Sequence, residues 1–222
     1  MSLFVVGTDT EVGKTVVSAM MLARFGAEYP LAYWKPVATG ATEGRDTATV
    51  RELAGSFGEI HDETYLYRPP VSPHLAARTA KKPIEVEVLL DRLFQMRRRD
   101  NERHLIVEGI GGVLVPLDDN GTLVADFVRT SKLPCVVVAR STLGTINHTL
   151  LTLEALRRRH IPIAGVILNG PRNPSNRQAI ERFGDVRVIA QLEPLEPLSE
   201  RSLLHAAAEF DRRARLRRWL GA

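Results

Sequence analysis

A chain of 222 residues is long enough for one well-buried core and short of the length at which chains divide, so one domain over residues 1–222 is expected. With 44% hydrophobic and 25% charged residues, it is neither collagen-like nor charged enough for disorder. The formal charge of +4 arises largely from arginines at 97–99, 157–159 and 212–218, which read as solvated helix faces; no interleaved aromatics support a nucleic-acid partner.

Along the chain, short apolar runs alternate with longer helical patterns. LFVV (3–6), AYWKPV (32–37), HLIVE (104–108), CVVVA (135–139), AGVIL (164–168) and VRVIA (186–190) read as strands, continuous as parallel strands covered on both faces should be. Helical spacing falls at 14–27, 47–57, 85–99, 122–131, 145–159, 175–183 and 199–219, while RPPVSPH (68–74) and LEPLEPL (192–198) read as loops. The expected fold is therefore α/β: a doubly wound, mostly parallel sheet with helices on both faces. Cys135 stands alone inside an apolar run and suits a reducing cytoplasm. The N-terminus has no basic leader, and no apolar stretch reaches the ~18 residues of a membrane span, so neither export nor membrane insertion is expected.

Ligands in such sheets bind beyond the carboxyl ends of the strands. After the first run comes GTDTEVGKT (7–15), then a helical pattern, which is the context of a phosphate-binding loop. It misses G-x-x-x-x-G-K-[ST] by one position, since Thr8 stands where the first glycine belongs, yet Gly13-Lys14-Thr15 is intact. The loop's N–H groups, the Lys14 charge and the Thr15 hydroxyl suit a polyphosphate with Mg²⁺. Asp9 and Glu11 would repel that polyphosphate unless a cation faces them, or else they are solvated turn formers. Lys35 closes the second run; in a chain with five lysines among 30 basic residues, a compact ammonium at a strand end draws notice, although a solvated loop lysine is the plain alternative. Thr39 is a nearby hydroxyl. Asp46 taken alone reads as a helix N-cap. Glu108 ends the third run where phosphate-loop proteins carry a magnesium-positioning acid, followed by glycines 109, 111 and 112. Gly144–Asn147 can form a helix N-terminus for a carboxylate, and Asn169 either reads a base edge or makes an Asn-Gly turn. The six histidines lack metal-ligand spacing, and no G-x-S-x-G marks a serine hydrolase.

GTDTEVGKT, YWKPVATG, PVSPHLAA, VEGIGG and LGTINH stand in the order and approximate spacing of dethiobiotin synthetases, whose phosphate loop also begins one residue early; the chain resembles that family from residue 7 to about residue 200. The resemblance implies a P-loop NTPase-like fold and an ATP- and Mg²⁺-dependent ring closure: 7,8-diaminononanoate and CO₂ give a carbamate, ATP phosphorylates it, and the second amine closes the ureido ring of dethiobiotin. It implies Lys35 and Lys14 as catalytic lysines and Glu11, Val12, Gly13, Lys14, Thr15 and Val16 around the phosphates. Thr15, Asp46 and Glu108 become magnesium ligands, with Glu108, Gly109, Ile110 and Gly111 against the nucleotide. Asn169, Gly170, Glu193, Pro194, Leu195 and Glu200 fall to the base. Thr39 meets the diamine, and Leu143, Gly144, Thr145 and Asn147 meet its carboxylate across a homodimer interface. Thr142 replaces a lysine that some relatives carry there, leaving that carboxylate more dependent on backbone N–H groups. A ParA-like nucleotide switch is the rival reading; such proteins carry a lysine early in the loop, where this chain has Asp9.

Overall fold

The computed structural model describes residues 2–42, 44–99 and 104–220. Its strands are β1 (Leu3–Gly7), β2 (Leu31–Trp34), β3 (Val37–Ala38), β4 (Glu59–His61), β5 (Tyr65–Leu66), β6 (His104–Gly112), β7 (Cys135–Arg140), β8 (Ile163–Asn169) and β9 (Val188–Leu192). Among the described residues seven of these form one wholly parallel sheet, ordered β4-β2-β6-β1-β7-β8-β9, while β3 and β5 pair separately. The helices are α1 (Lys14–Phe25), α2 (Asp46–Ala54), α3 (Pro73–Thr79), α4 (Val86–Arg99), α5 (Val124–Ser131), α6 (Thr145–Arg157), α7 (Pro174–Gly184), α8 (Glu200–Glu209) and a last turn, α9 (Arg217–Leu220).

Both faces of the sheet are covered, which is why its strands read as unbroken apolar runs. Successive side chains of a strand point to opposite faces. Leu3, Val5, Tyr33, Val136 and Val138 thus pack with α1, α2 and α8, while Phe4, Val6, Val137 and Ala139 pack with α3 to α7. β1 lies at the centre between β6 and β7, so the segments leaving these three strands meet at one edge of the sheet. Of the arginine clusters, Arg97 and Arg98 on α4 and Arg157 and Arg158 at the end of α6 are exposed as expected; Arg212 and Arg213 are exposed but lie beyond the end of α8, Arg159 and Arg215 are half-buried, and the side chains of Arg99 and Arg218 fall outside the described set.

Four expectations need correction. The run 32–37 is not one strand: β2 ends before Lys35, and Pro36, which has no N–H to donate, instead accepts from Thr64 and Tyr65 at 3.1 and 3.0 Å. β6 extends past Glu108 to Gly112. The stretch 68–74 is not all loop, because α3 opens on Pro73, whose fixed φ suits a first helical position. The helix expected over 199–219 stops at Glu209: Asp211 takes φ +49°, and its carboxylate accepts the N–H groups of Arg215 and Leu216 at 2.8 Å each.

Candidate active site

Between β1 and α1 the chain folds into a tight loop. Gly13 caps α1 at φ +94°, where a side chain is strained, and a Cβ there would stand 2.1 Å from Asn169 Nδ2. Gly7 provides room: its Cβ would meet the Asp9 carbonyl oxygen at 2.7 Å and Lys14 Nζ at 2.8 Å. The Lys14 ammonium crosses the loop to donate to that carbonyl at 2.8 Å. The amide of Val17 bonds back to Gly13 O at 3.0 Å, so by helix geometry the N–H groups before it lack intrahelical acceptors and form an anion site. The cation that Asp9 requires belongs to the protein: Arg140, at the end of β7, donates to Asp9 Oδ2 at 2.9 Å and to Thr10 O at 3.4 Å. Glu11 is exposed.

Beside the loop stand two acids and a second lysine. Asp46 is not a cap; Arg45 holds the cap position of α2, and Asp46, one residue into the helix, turns its carboxylate to the loop. Thr15 Oγ1 lies 2.8 Å from Asp46 Oδ1 and 2.9 Å from Glu108 Oε1. Lys35 Nζ lies 2.5 Å from Asp46 Oδ2 and 2.8 Å from Glu108 Oε1. Burial disfavours the charged form of Lys35, but the two carboxylates outweigh it and its pKa is raised. Lys14 goes the other way: burial, then the nearby Lys35 charge, lowers it to about 8. Burial works against the Asp46 carboxylate as well, but Lys35 and Thr15 hold its pKa below the ordinary value.

These donors fit a magnesium ion. Thr15 Oγ1, Asp46 Oδ1 and Glu108 Oε1 converge as three hard oxygens, with the Lys35 ammonium as the present counter-charge of both acids. Among the described residues no group of three or more His, Cys, Asp or Glu gathers to hold a metal. Two acids and a hydroxyl beside a phosphate loop are what an ion sharing its shell with phosphate and water needs.

A family model described as an AAA domain matches residues 1–202. Over 193 residues the chain is 48% identical to the ATP-dependent dethiobiotin synthetase BioD of Paramagnetospirillum magneticum, covering 87% of this chain and 88% of that protein. The chain belongs to the ATP-dependent dethiobiotin synthetase family. The relative of the same name from Lawsonia intracellularis is 37% identical over 91% of this chain and 93% of its own. Among solved structures, a ParA family ATPase from Chlorobium tepidum superposes with a TM-score of 0.57 at 13% identity, over 95% of this chain and 93% of that one; this shows a shared P-loop fold.

Most of the remaining residues that the resemblance implies fall into three places. A cleft of about 750 Å³ beside α1 is lined by Val16, Asn169, Glu193, Pro194 and Leu195, by Arg172, which donates to Glu193 at 2.7 Å, and by the segment Glu209–Arg213. Asn169 also donates to Val12 O at 3.1 Å, so its amide braces the loop. Gly170 is not among the residues lining that cleft; a Cβ there would meet Ser141 Oγ at 2.6 Å. Glu200 is not part of the lining: it opens α8 and accepts from Ser56 at 3.3 Å. Gly109, Ile110 and Gly111 continue β6 past Glu108, and Thr39, half-buried, follows β3. At the head of α6, Leu143, Gly144 and Asn147 are exposed, Leu143 fully; Thr145 is turned inward, its hydroxyl 3.5 Å from that of Thr149.

Two residues of the site escaped the sequence reading. Arg140 follows an apolar run directly, and its signal was its place at the carboxyl end of a strand. Tyr33, which donates to Glu108 Oε2 at 2.9 Å, looked like a core aromatic. Its signal was parity, because residues 33 and 35 share one face of an extended chain.

Proposed function

We propose that this chain, acting as one domain in the cytoplasm, closes the ureido ring of dethiobiotin from 7,8-diaminononanoate, CO₂ and ATP. One amine adds to the carbon of CO₂ and loses a proton, giving a carbamate. A carbamate oxygen takes the γ-phosphoryl group of ATP as ADP leaves. The second amine then attacks the carbonyl carbon, and the new C–N bond forms as phosphate departs and a second proton is lost.

The observation that carries this reading is the bridge from Lys35 to Asp46 and Glu108, both within hydrogen-bond reach of the phosphate loop's Thr15. The raised pKa of Lys35 makes it a fixed positive charge and not a proton acceptor, suited to oppose the charge on a carbamate and a transferring phosphoryl group. Lys14 and the N–H groups of Glu11–Val16 hold the phosphates. Thr15, Asp46 and Glu108 would hold Mg²⁺, which when bound neutralises phosphate charge. Glu108–Gly111 border the nucleotide, and its base occupies the cleft at Asn169 and Glu193–Leu195. Thr39 meets the diamine. Leu143, Gly144 and Asn147 receive its carboxylate at a homodimer interface, a reading supported by the full exposure of Leu143.

Purified protein should release ADP only when diamine and bicarbonate are both present. ADP release stimulated by DNA or lipid, and indifferent to the diamine, would favour the switch function to which the ParA-like fold also lends itself.

A further inference from the structure

Glu108 uses its two oxygens differently. Oε1 meets the Thr15 hydroxyl at 2.9 Å and the Lys35 ammonium at 2.8 Å, whereas Oε2 accepts the Tyr33 phenol at 2.9 Å. Tyr33 has no exposed surface and Glu108 only 1%, so water does not compete for Oε2. The register explains the meeting: Tyr33 lies opposite Ile106, and Glu108 is the next residue on that face of β6.

We infer that Tyr33 is a positioning residue that leaves Glu108 a single oxygen for a divalent cation and thereby selects Mg²⁺ over Ca²⁺. The physical reason lies in the two ions. Mg²⁺ holds a compact octahedral shell built from one or two carboxylates with water and phosphate, whereas Ca²⁺ gathers about six to eight oxygens and accepts both oxygens of a carboxylate. With Oε2 held by the phenol, Glu108 can offer only Oε1, which Thr15 and Lys35 also share; that suffices for a one-oxygen ligand to the first ion but not for the two-oxygen grip the second accepts. The inference rests on the metal site proposed above.

Tyr33→Phe removes the donor at nearly constant ring volume. Mg²⁺ and Ca²⁺ are titrated by calorimetry into wild-type protein and variant, each saturated with a non-hydrolysable ATP analogue, without diamine, and corrected for chelation by free analogue. The ratio of Mg²⁺ to Ca²⁺ affinity should fall about tenfold in the variant, the lower end of what supporting groups contribute at metal sites. A merely structural role would weaken both ions alike, and an unchanged ratio would overturn the inference while leaving the proposed function intact. Failure of the wild-type protein to bind any divalent ion with nucleotide would overturn both. Should the variant not fold, a structure of wild-type protein with Mg²⁺ and the analogue decides: the ion on Oε1 with the Tyr33 bond kept is expected, and the ion on Oε2 refutes it.

Discussion

Lys35→Met keeps most of the apolar stem of the lysine and deletes its charge. In the wild-type protein Nζ stands 2.5 Å from Asp46 and 2.8 Å from Glu108, whose side chains are 40% and 0% exposed. The Asp46 contact is partly screened by water, so most of the cost comes from Glu108, left inside without its cation. Breaking a buried pair in this way costs about 3–5 kcal/mol. Glu108 keeps its bonds to Thr15 and Tyr33, which places the expectation at the lower end, about 3 kcal/mol. For a chain of this size each kcal/mol moves the melting temperature by about 2–4 °C, so the variant should melt roughly 6–12 °C lower in thermal unfolding followed by circular dichroism. Mg²⁺ with nucleotide should restore more stability to the variant than to wild type, because it supplies a cation to the same carboxylates. A melting temperature within 1 °C of wild type would show that Glu108 does not depend on the Lys35 cation, as would magnesium-nucleotide stabilising both proteins equally.

The lowered pKa of Lys14 sets a pH dependence: nucleotide requires the ammonium, so affinity should be highest below about pH 8 and fall up to tenfold per unit above it, read by fluorescent-nucleotide titration; a flat profile to pH 9.5 would contradict it. For stability the sign is reversed, because between about 8 and 10.5 the unfolded chain binds the extra proton, and this group makes the nucleotide-free protein more stable as pH rises. Gly13→Ala forces a side chain into a left-handed position, costing about 1–2 kcal/mol, and drives the Asn169 amide off Val12; nucleotide affinity should drop at least ~10-fold with the circular dichroism spectrum unchanged. Unaltered affinity would mean that the loop tolerates what its geometry forbids. Cys135 has no exposed surface, and burial pushes its thiol up to about 12, so Ellman's reagent should react only after unfolding; rapid reaction with native protein would misplace β7.

Much of the site was legible because phosphate-loop chemistry sits at strand ends. Gly13-Lys14-Thr15, Lys35 and Glu108 each close or follow an apolar run, and the parallel sheet brings those ends together. Asp46 taken alone read as a cap and only the resemblance gave it a role at the loop, since whether an acid caps a helix or turns to the neighbouring loop depends on one residue of register. Tyr33 and Arg140 were hidden for opposite reasons: one inside a run that reads as pure core, the other among many solvated arginines. β4 and β5 have three and two residues, too few to show a period. The break at Asp211 interrupts a pattern rich in alanine and arginine, good helix formers, and is set by tertiary contacts: Phe210 is buried against Phe25, and Leu216 must reach the core.

If the cluster of Lys14, Lys35, Thr15, Asp46 and Glu108 spends ATP to join CO₂ to two amines, the carbon of the ureido group comes from bicarbonate. Mass spectrometry of a reaction begun with [¹³C]bicarbonate tests it most directly. Dethiobiotin should carry one heavy carbon and form one-to-one with ADP; ADP accumulating without a labelled product would rule this chemistry out.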